Sequence, residues 1–171
     1  MMILYHGRVG NDSLALSCEN AYSSSLLGDK AIYLADTRRA ALQYSDPMML
    51  ENRQKDRKGT SYLFEVEVEF SRLAFLTEEV CSDLSSEDLS RLSKIVDEDC
   101  MAYISKNPHL MAVMEMVGTQ LLPLLKACGF DGLKHDSTLD PILAATMSDD
   151  ETSFAVFNDN AIKSIRRLAL T

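Results

Sequence analysis

GDKAIYLADTRRAALQYS, residues 28–45, is the stretch whose reading decides the fold. Residues 31–35 read as a short strand that turns sharply into a helix. Asp36 and Thr37 are good N-cap residues, and Ala40, Ala41 and Leu42 are strong helix formers. Strand side chains alternate, so Ile32 and Leu34 share one side while Tyr33 faces the other. On the helix, Tyr44 shares a face with Ala40 and Ala41, whose small side chains leave room beside its ring. The layout brings Tyr33 and Tyr44 toward one cleft, two flat faces able to hold a flat ring. For either ring alone, core or rim packing is a sufficient explanation.

Upstream, ILYHGR at residues 3–8 is a short apolar strand ending in His6-Gly7. The pair LYHG and AIYLAD…ALQYS, in this order, resembles the mono- and poly(ADP-ribosyl)transferase superfamily of the diphtheria-toxin and poly(ADP-ribose) polymerase type. The match covers His6, Gly7, Tyr33, Ala35 and Tyr44. Each piece alone is weak, and their order and spacing together are uncommon. LLKACGFDGLKH, residues 124–135, resembles the family element that ends a helix at glycine and starts a strand. SFAVFN, residues 153–158, resembles the strand that carries the family's catalytic glutamate.

That strand departs from the family pattern. Ser153, not a carboxylate, stands at the glutamate's position, and Glu151 lies two residues earlier. Residues two apart on a regular strand point the same way, so Glu151 reaches the same side from one pleat further out. Asp149 or Asp150 can supply the acid instead if the loop folds inward. A solvated acidic loop remains the plain alternative.

Bulk properties limit the classes of function. A chain of 171 residues, 46% apolar and 25% charged, is expected to be a single domain with a real core. Its net charge of −9 argues against direct grip on nucleic-acid phosphates and permits attraction to a basic protein surface. The apolar run before His6 is too short for a signal peptide, and no stretch reads as a membrane span, so the expected setting is cytoplasmic. Cys18, Cys81, Cys100 and Cys128 have no CxxC spacing, which points to reduced thiols and no metal site. No dinucleotide glycine fingerprint and no nucleophile elbow is present.

The rest of the chain reads as follows. Residues 9–30 form a polar loop. Asp46-Pro47 ends the tyrosine helix, and 48–60 is a basic run expected to be solvated. Residues 62–70 are the clearest strand: Phe64, Val66, Val68 and Phe70 alternate with Glu65, Glu67 and Glu69, a row of carboxylates expected in water. Residues 76–128 read as a helical insertion. In it, Ser85 and Asp88 form a capping box, Asn107-Pro108 opens a helix, Pro123 interrupts it, and His109 is an ordinary helix-start residue. Asp131 and His135 are expected at a turn and a rim. Residues 161–168 give a last strand or tail. The fold class is α+β, with a largely antiparallel β core in two small sheets, a helix after the tyrosine strand and the insertion.

The resemblance implies a role for each matching residue. NAD would be the co-substrate, and its nicotinamide–ribose bond would break with positive charge growing on the ribose, as in glycoside cleavage. Tyr33 and Tyr44 would stack on nicotinamide, aromatic pairs adding roughly 0.5–1.5 kcal/mol beyond area burial. The Gly7 backbone would pair with the carboxamide, His6 would hold a ribose hydroxyl, and Arg8 would meet the pyrophosphate. Ser153 would line the same site, and Glu151 would supply the charge that favours the cationic sugar. Catalysis would thus rest on Glu151, His6 and Tyr33. The acceptor would be a protein, with a basic or nucleic-acid-binding surface, as for effectors that bacteria or phages direct at a host or competitor. The same fold with its acid lost would instead be an acidic protein-binding inhibitor, and water as acceptor would make an NAD glycohydrolase.

Overall fold

The computed structural model describes residues 1–10, 15–21, 29–43, 60–77, 79–136 and 151–170. Tyr44, Asp149, Asp150 and the basic run at 48–59 lie outside the described residues. Seven strands form one mixed sheet: β1 (Met2–Gly10), β2 (Ile32–Ala35), β3 (Thr60–Val68), β4 (Leu73–Leu76), β5 (Gly132–Asp136), β6 (Thr152–Val156) and β7 (Ile162–Leu168). Their order is β4-β5-β6-β2-β1-β3-β7, antiparallel except for the parallel β4–β5 pair. Helix α1 (Arg38–Gln43) follows β2. Helices α2 (Ser86–Leu92), α3 (Glu98–Lys106), α4 (Leu110–Val117) and α5 (Leu121–Ala127) lie between β4 and β5. The architecture is α+β.

The two small sheets expected from the sequence are one sheet with a seam. The β1–β3 ladder runs the whole strand, from Met2↔Val68 to Gly10↔Thr60, whereas β1 and β2 share only the register pair Tyr5↔Ala35. Chain length forces the sheet to curl. Val68 and Leu73 close β3 and open β4, and the chain between them spans at most about 18 Å. In a flat sheet those strands, five places apart, would be about 24 Å from each other. The curl closes this gap: the Phe70 ring, just past β3, stacks on Phe154 of β6 at 6.4 Å.

Strand alternation then sorts the core into two faces. Leu4, Ile32, Leu34, Phe64, Val66, Val68, Phe154 and Val156 fill the concave face, with Ile162 and Ile165 from β7 and Leu16 and Cys18 from the N-terminal connection. The Cys18 amide donates to Asp159 Oδ1 at 2.7 Å and its thiol to the Val156 carbonyl at 3.3 Å. Burial pushes that thiol up to about 12, so it stays protonated. All four cysteines are unbridged. On the opposite face, Ala74, Leu76, Leu133 and Ala155 meet Leu92, Ile104, Leu110, Val113, Leu121, Leu122 and Leu125 of the helices.

Three local readings change in three dimensions. Glu65 and Glu67 are half-buried, because β7 pairs with β3 and brings Arg166 and Ser164 to them at 2.6 Å each, while Glu69 stays in water as expected, 3.6 Å from Lys163. Asn107 is the C-cap of α3, and α4 opens instead on His109, whose Nδ1 accepts from the Ala112 amide at 3.3 Å. The apolar stretch Leu110–Ala127 is, over its 18 residues at mean hydropathy 1.3, marginally long and apolar enough for a membrane span. Here it breaks at Gly118, at φ 50°, ahead of Pro123, and its leucines pack under the sheet. The Ser85–Asp88 capping box is present.

The insertion is fastened to the sheet through Arg72. Its guanidinium donates to both oxygens of buried Asp88 at 2.8 and 2.5 Å and to the Cys128 carbonyl at 2.6 Å. It also lies 3.8 Å over the Phe130 ring. Asp131 is no exposed turn residue. It is buried and accepts from the Ser71 and Arg72 amides at 2.7 and 3.0 Å.

Candidate functional site

The seam gathers most of the residues singled out by the sequence. Tyr5 pairs with Ala35, Ala35 with Ser153, and Ser153 with His135. Directly paired residues point the same way, so these four side chains form one row across β1, β2, β6 and β5. One pleat along, Tyr33 pairs with Ala155 and Ala155 with Leu133, and Tyr33 packs against the helix-side core. Gly7 follows Tyr5 by two residues and is buried on this same face, opposite Leu63. Helix α1 closes over the row, with Ala40 and Ala41 packed against Tyr5, Ala35 and Leu63.

Glu151 enters this face from the start of β6, with 3% of its surface exposed. A bare carboxylate would not tolerate that burial, and its partners come from the N-terminus of α1. The Thr37 hydroxyl donates to Oε1 at 2.7 Å and accepts from the Ala40 amide at 3.1 Å, so one oxygen both caps the helix and ties it to the acid. Arg39 grips the carboxylate bidentately, Nε to Oε1 at 3.0 Å and Nη2 to Oε2 at 2.9 Å. Ser153 is fully buried, and its hydroxyl donates to the Leu34 carbonyl at 3.4 Å.

His6 and Arg8 lie on the other side of β1. They share the face of Phe64, with the His6 ring centroid 6.3 Å from that of Phe64 and the Arg8 guanidinium 4.7 Å over it. The His6 imidazole and the Tyr33 ring therefore do not line one hollow. They are joined through the backbone: His6 Nδ1 donates to the Tyr33 carbonyl at 2.8 Å. A carbonyl only accepts, so Nδ1 carries the proton. This bond lies where the β1–β2 ladder has stopped, and the side chain bridges the seam in place of a ladder bond.

The sequence reading brought together His6, Gly7, Tyr33, Ser153 and Glu151, and all five lie on β1, β2 or the start and body of β6, the three central strands of the sheet. It missed three residues. Thr37 and Arg39 were visible only as helix-start residues, and nothing in their spacing signals that a carboxylate 112 to 114 positions away will reach them. His135, expected at a rim, is 4% exposed and directly opposite Ser153. The alternation Leu133–His135 in β5 was the available signal, since it puts the imidazole on the same face as a core leucine. Among the described residues no three His, Cys, Asp or Glu side chains gather as a metal site. Comparison with protein-family models, with curated proteins and with solved structures gives no match for this chain, so the chemistry of the site is read from its own residues.

Proposed function

We propose that this chain is an NAD-dependent mono-ADP-ribosyltransferase that breaks the nicotinamide–ribose bond and transfers ADP-ribose to a protein. The observation that carries the reading is the shared face of Gly7, Tyr33, Ser153 and Glu151 at the seam of a nearly divided sheet. These residues come from strands far apart in sequence; Gly7 and Tyr33 match motifs of the superfamily that the sequence resembles, and Ser153 and Glu151 lie on or just before the strand that resembles its glutamate strand. In this reading nicotinamide lies on Tyr33 with its carboxamide against the Gly7 backbone. Glu151 holds a negative charge about 6.6 Å along the strand from Ser153, where it favours the cationic sugar. His6 acts from behind: by holding the Tyr33 carbonyl it sets the distance between β1 and β2.

The test is incubation of the purified chain with NAD and a cell lysate, following nicotinamide release and the gain of one ADP-ribose on protein. Tyr33→Ala is expected to abolish both with the fold intact. Full turnover in that variant would remove the assigned face from consideration. Free ADP-ribose with no labelled protein would make the chain an NAD glycohydrolase. One observation favours a second reading, a catalytically inactive relative that binds a basic protein partner through its acidic surface. Ser153 stands where an acid is expected, and the nearby Glu151 is already neutralised by Arg39. That reading requires a tight complex formed without NAD and insensitive to Tyr33→Ala.

A further inference from the structure

We propose that the helical insertion carries a docking groove for a basic protein partner, and that the groove takes a lysine or arginine side chain of that partner. The partner's role as acceptor rests on the transferase reading above; the groove itself does not. Glu98, Met101, Ala102 and Ser105 recur at spacings of three and one to three along α3, so they form one stripe of that helix. Cys100 and Ile104 of the same helix are buried in the core, and the stripe lies on the outer side. Between the stripe and the 93–97 turn is an open groove of about 300 Å³, whose walls include Val96 and Asp97. That is the lower limit of small-molecule pockets, and it has room for a single long side chain.

The acids at this place have an ordinary explanation, and the apolar floor does not. Asp97 caps α3 by accepting from the Cys100 amide at 2.7 Å, and Glu98 and Asp99 favour the positive end of the helix. The outward stripe of a surface helix is expected to be polar. Here Val96 and Met101 pack on the core with one side and line the groove with the other, and neighbouring Ile95 is 53% exposed. Such a floor suits the methylenes of a lysine or arginine, which lie along apolar surface while the charged head stays in water. The head then meets Asp97 and Glu98. Among the described residues, no Lys or Arg of this chain pairs with Asp97, Glu98 or Asp99. Net charge selects the same occupant. Residues 76–128 hold nine Asp and Glu against four Lys and Arg, a net of −5 in a chain of −9. A second copy would bring the same acidic insertion to this face, so a basic partner is favoured over self-association. The insertion also covers the sheet face of Tyr33, whose ring packs against its core. A protein held on α3 therefore lies on the same side of the sheet as Tyr33.

The experiment uses the full chain and a fluorescent peptide of alternating Lys and Leu, with a peptide of alternating Glu and Leu as the opposite-charge probe, read by anisotropy. Asp97→Asn with Glu98→Gln keeps the cap and removes both rim charges. Glu79→Gln with Glu115→Gln removes two exposed acids of the insertion outside the groove. The Lys-Leu peptide is expected to bind, with its Kd rising about 3–30-fold in the rim variant and staying within about twofold in the other. Met101→Ser, which takes away the apolar floor and no charge, should weaken binding as well. Failure of the Lys-Leu peptide to bind overturns the groove, as does equal weakening by the two charge variants or equal binding of the Glu-Leu peptide. A wild-type chain that sediments as a dimer, and as a monomer after Met101→Ser, gives the groove to a second copy and also overturns it. With NAD, the rim variant should release nicotinamide at the wild-type rate in the absence of acceptor and label lysate protein more slowly; unchanged labelling removes the acceptor role. A wild-type chain that releases no nicotinamide overturns the transferase reading, while the groove still stands or falls on the peptide.

Discussion

Replacing Asp88 by Asn tests how the helical insertion is held to the sheet. Asp88 is 1% exposed, and its two oxygens take the Arg72 guanidinium, the Ser85 amide and the Ser85 hydroxyl. The hydrogen bonds from Arg72, followed by those from Ser85, outweigh the cost of burial and hold its carboxyl down from 3.8 to about 2. At about 1.4 kcal/mol for each tenfold change in proton affinity, that is about 2 kcal/mol of charge-dependent stability. Because the folded pKa lies below the unfolded one, this stability is fully present above about pH 4 and is lost as pH falls through about 2. Asn keeps the shape and its oxygen can still accept from Ser85, so Asp88→Asn removes the charge together with the one hydrogen bond from Arg72 Nη1 that the amide nitrogen cannot accept. The expected loss is about 2 kcal/mol at pH 7, shrinking to about 1 kcal/mol at pH 3. Urea unfolding followed by circular dichroism at the two pH values measures it. An equal gap at both pH values, or a gap under about 0.5 kcal/mol at pH 7, would refute the argument that the Arg72–Asp88 charge fastens the insertion.

Two further substitutions probe the curl and the seam. A Cβ added at Gly132 would meet Phe70 Cε1 at 2.1 Å, and that ring is stacked on Phe154. Gly132→Ala should cost about 1–3 kcal/mol, seen as a lower thermal midpoint, and Phe70→Leu in the same chain should recover part of it. Phe64 is fully buried and supports both His6 and Arg8. Phe64→Ala should therefore cost about 3–5 kcal/mol in urea unfolding.

Much of the site was legible because its elements carry local signals. Thr37 is the N-cap that its residue type announces. β3 follows its alternation, and the break at Gly129 follows from a positive φ of 82° that glycine adopts without strain. Faces within a strand were legible too, which is why Glu151 and Ser153 were put on one side. The relation between strands was not. Whether His6 and Tyr33 share a side depends on how β1 is registered against β2, and no feature within either strand encodes that pairing.

The amino-acid order by itself determined the elements, the two-faced character of each strand and the pairing of Ser153 with Glu151 along β6, because those follow from periods of two and 3.6 residues. Only the tertiary structure decided that β1 and β2 meet at one register pair and that the His6 ring falls behind the Tyr33 ring. It also decided that Arg39 and Thr37 take hold of Glu151 and that His135 stands across from Ser153. The physical reason is that cross-strand register is set by how the whole curled sheet packs on its two cores, and that packing involves residues more than a hundred positions apart.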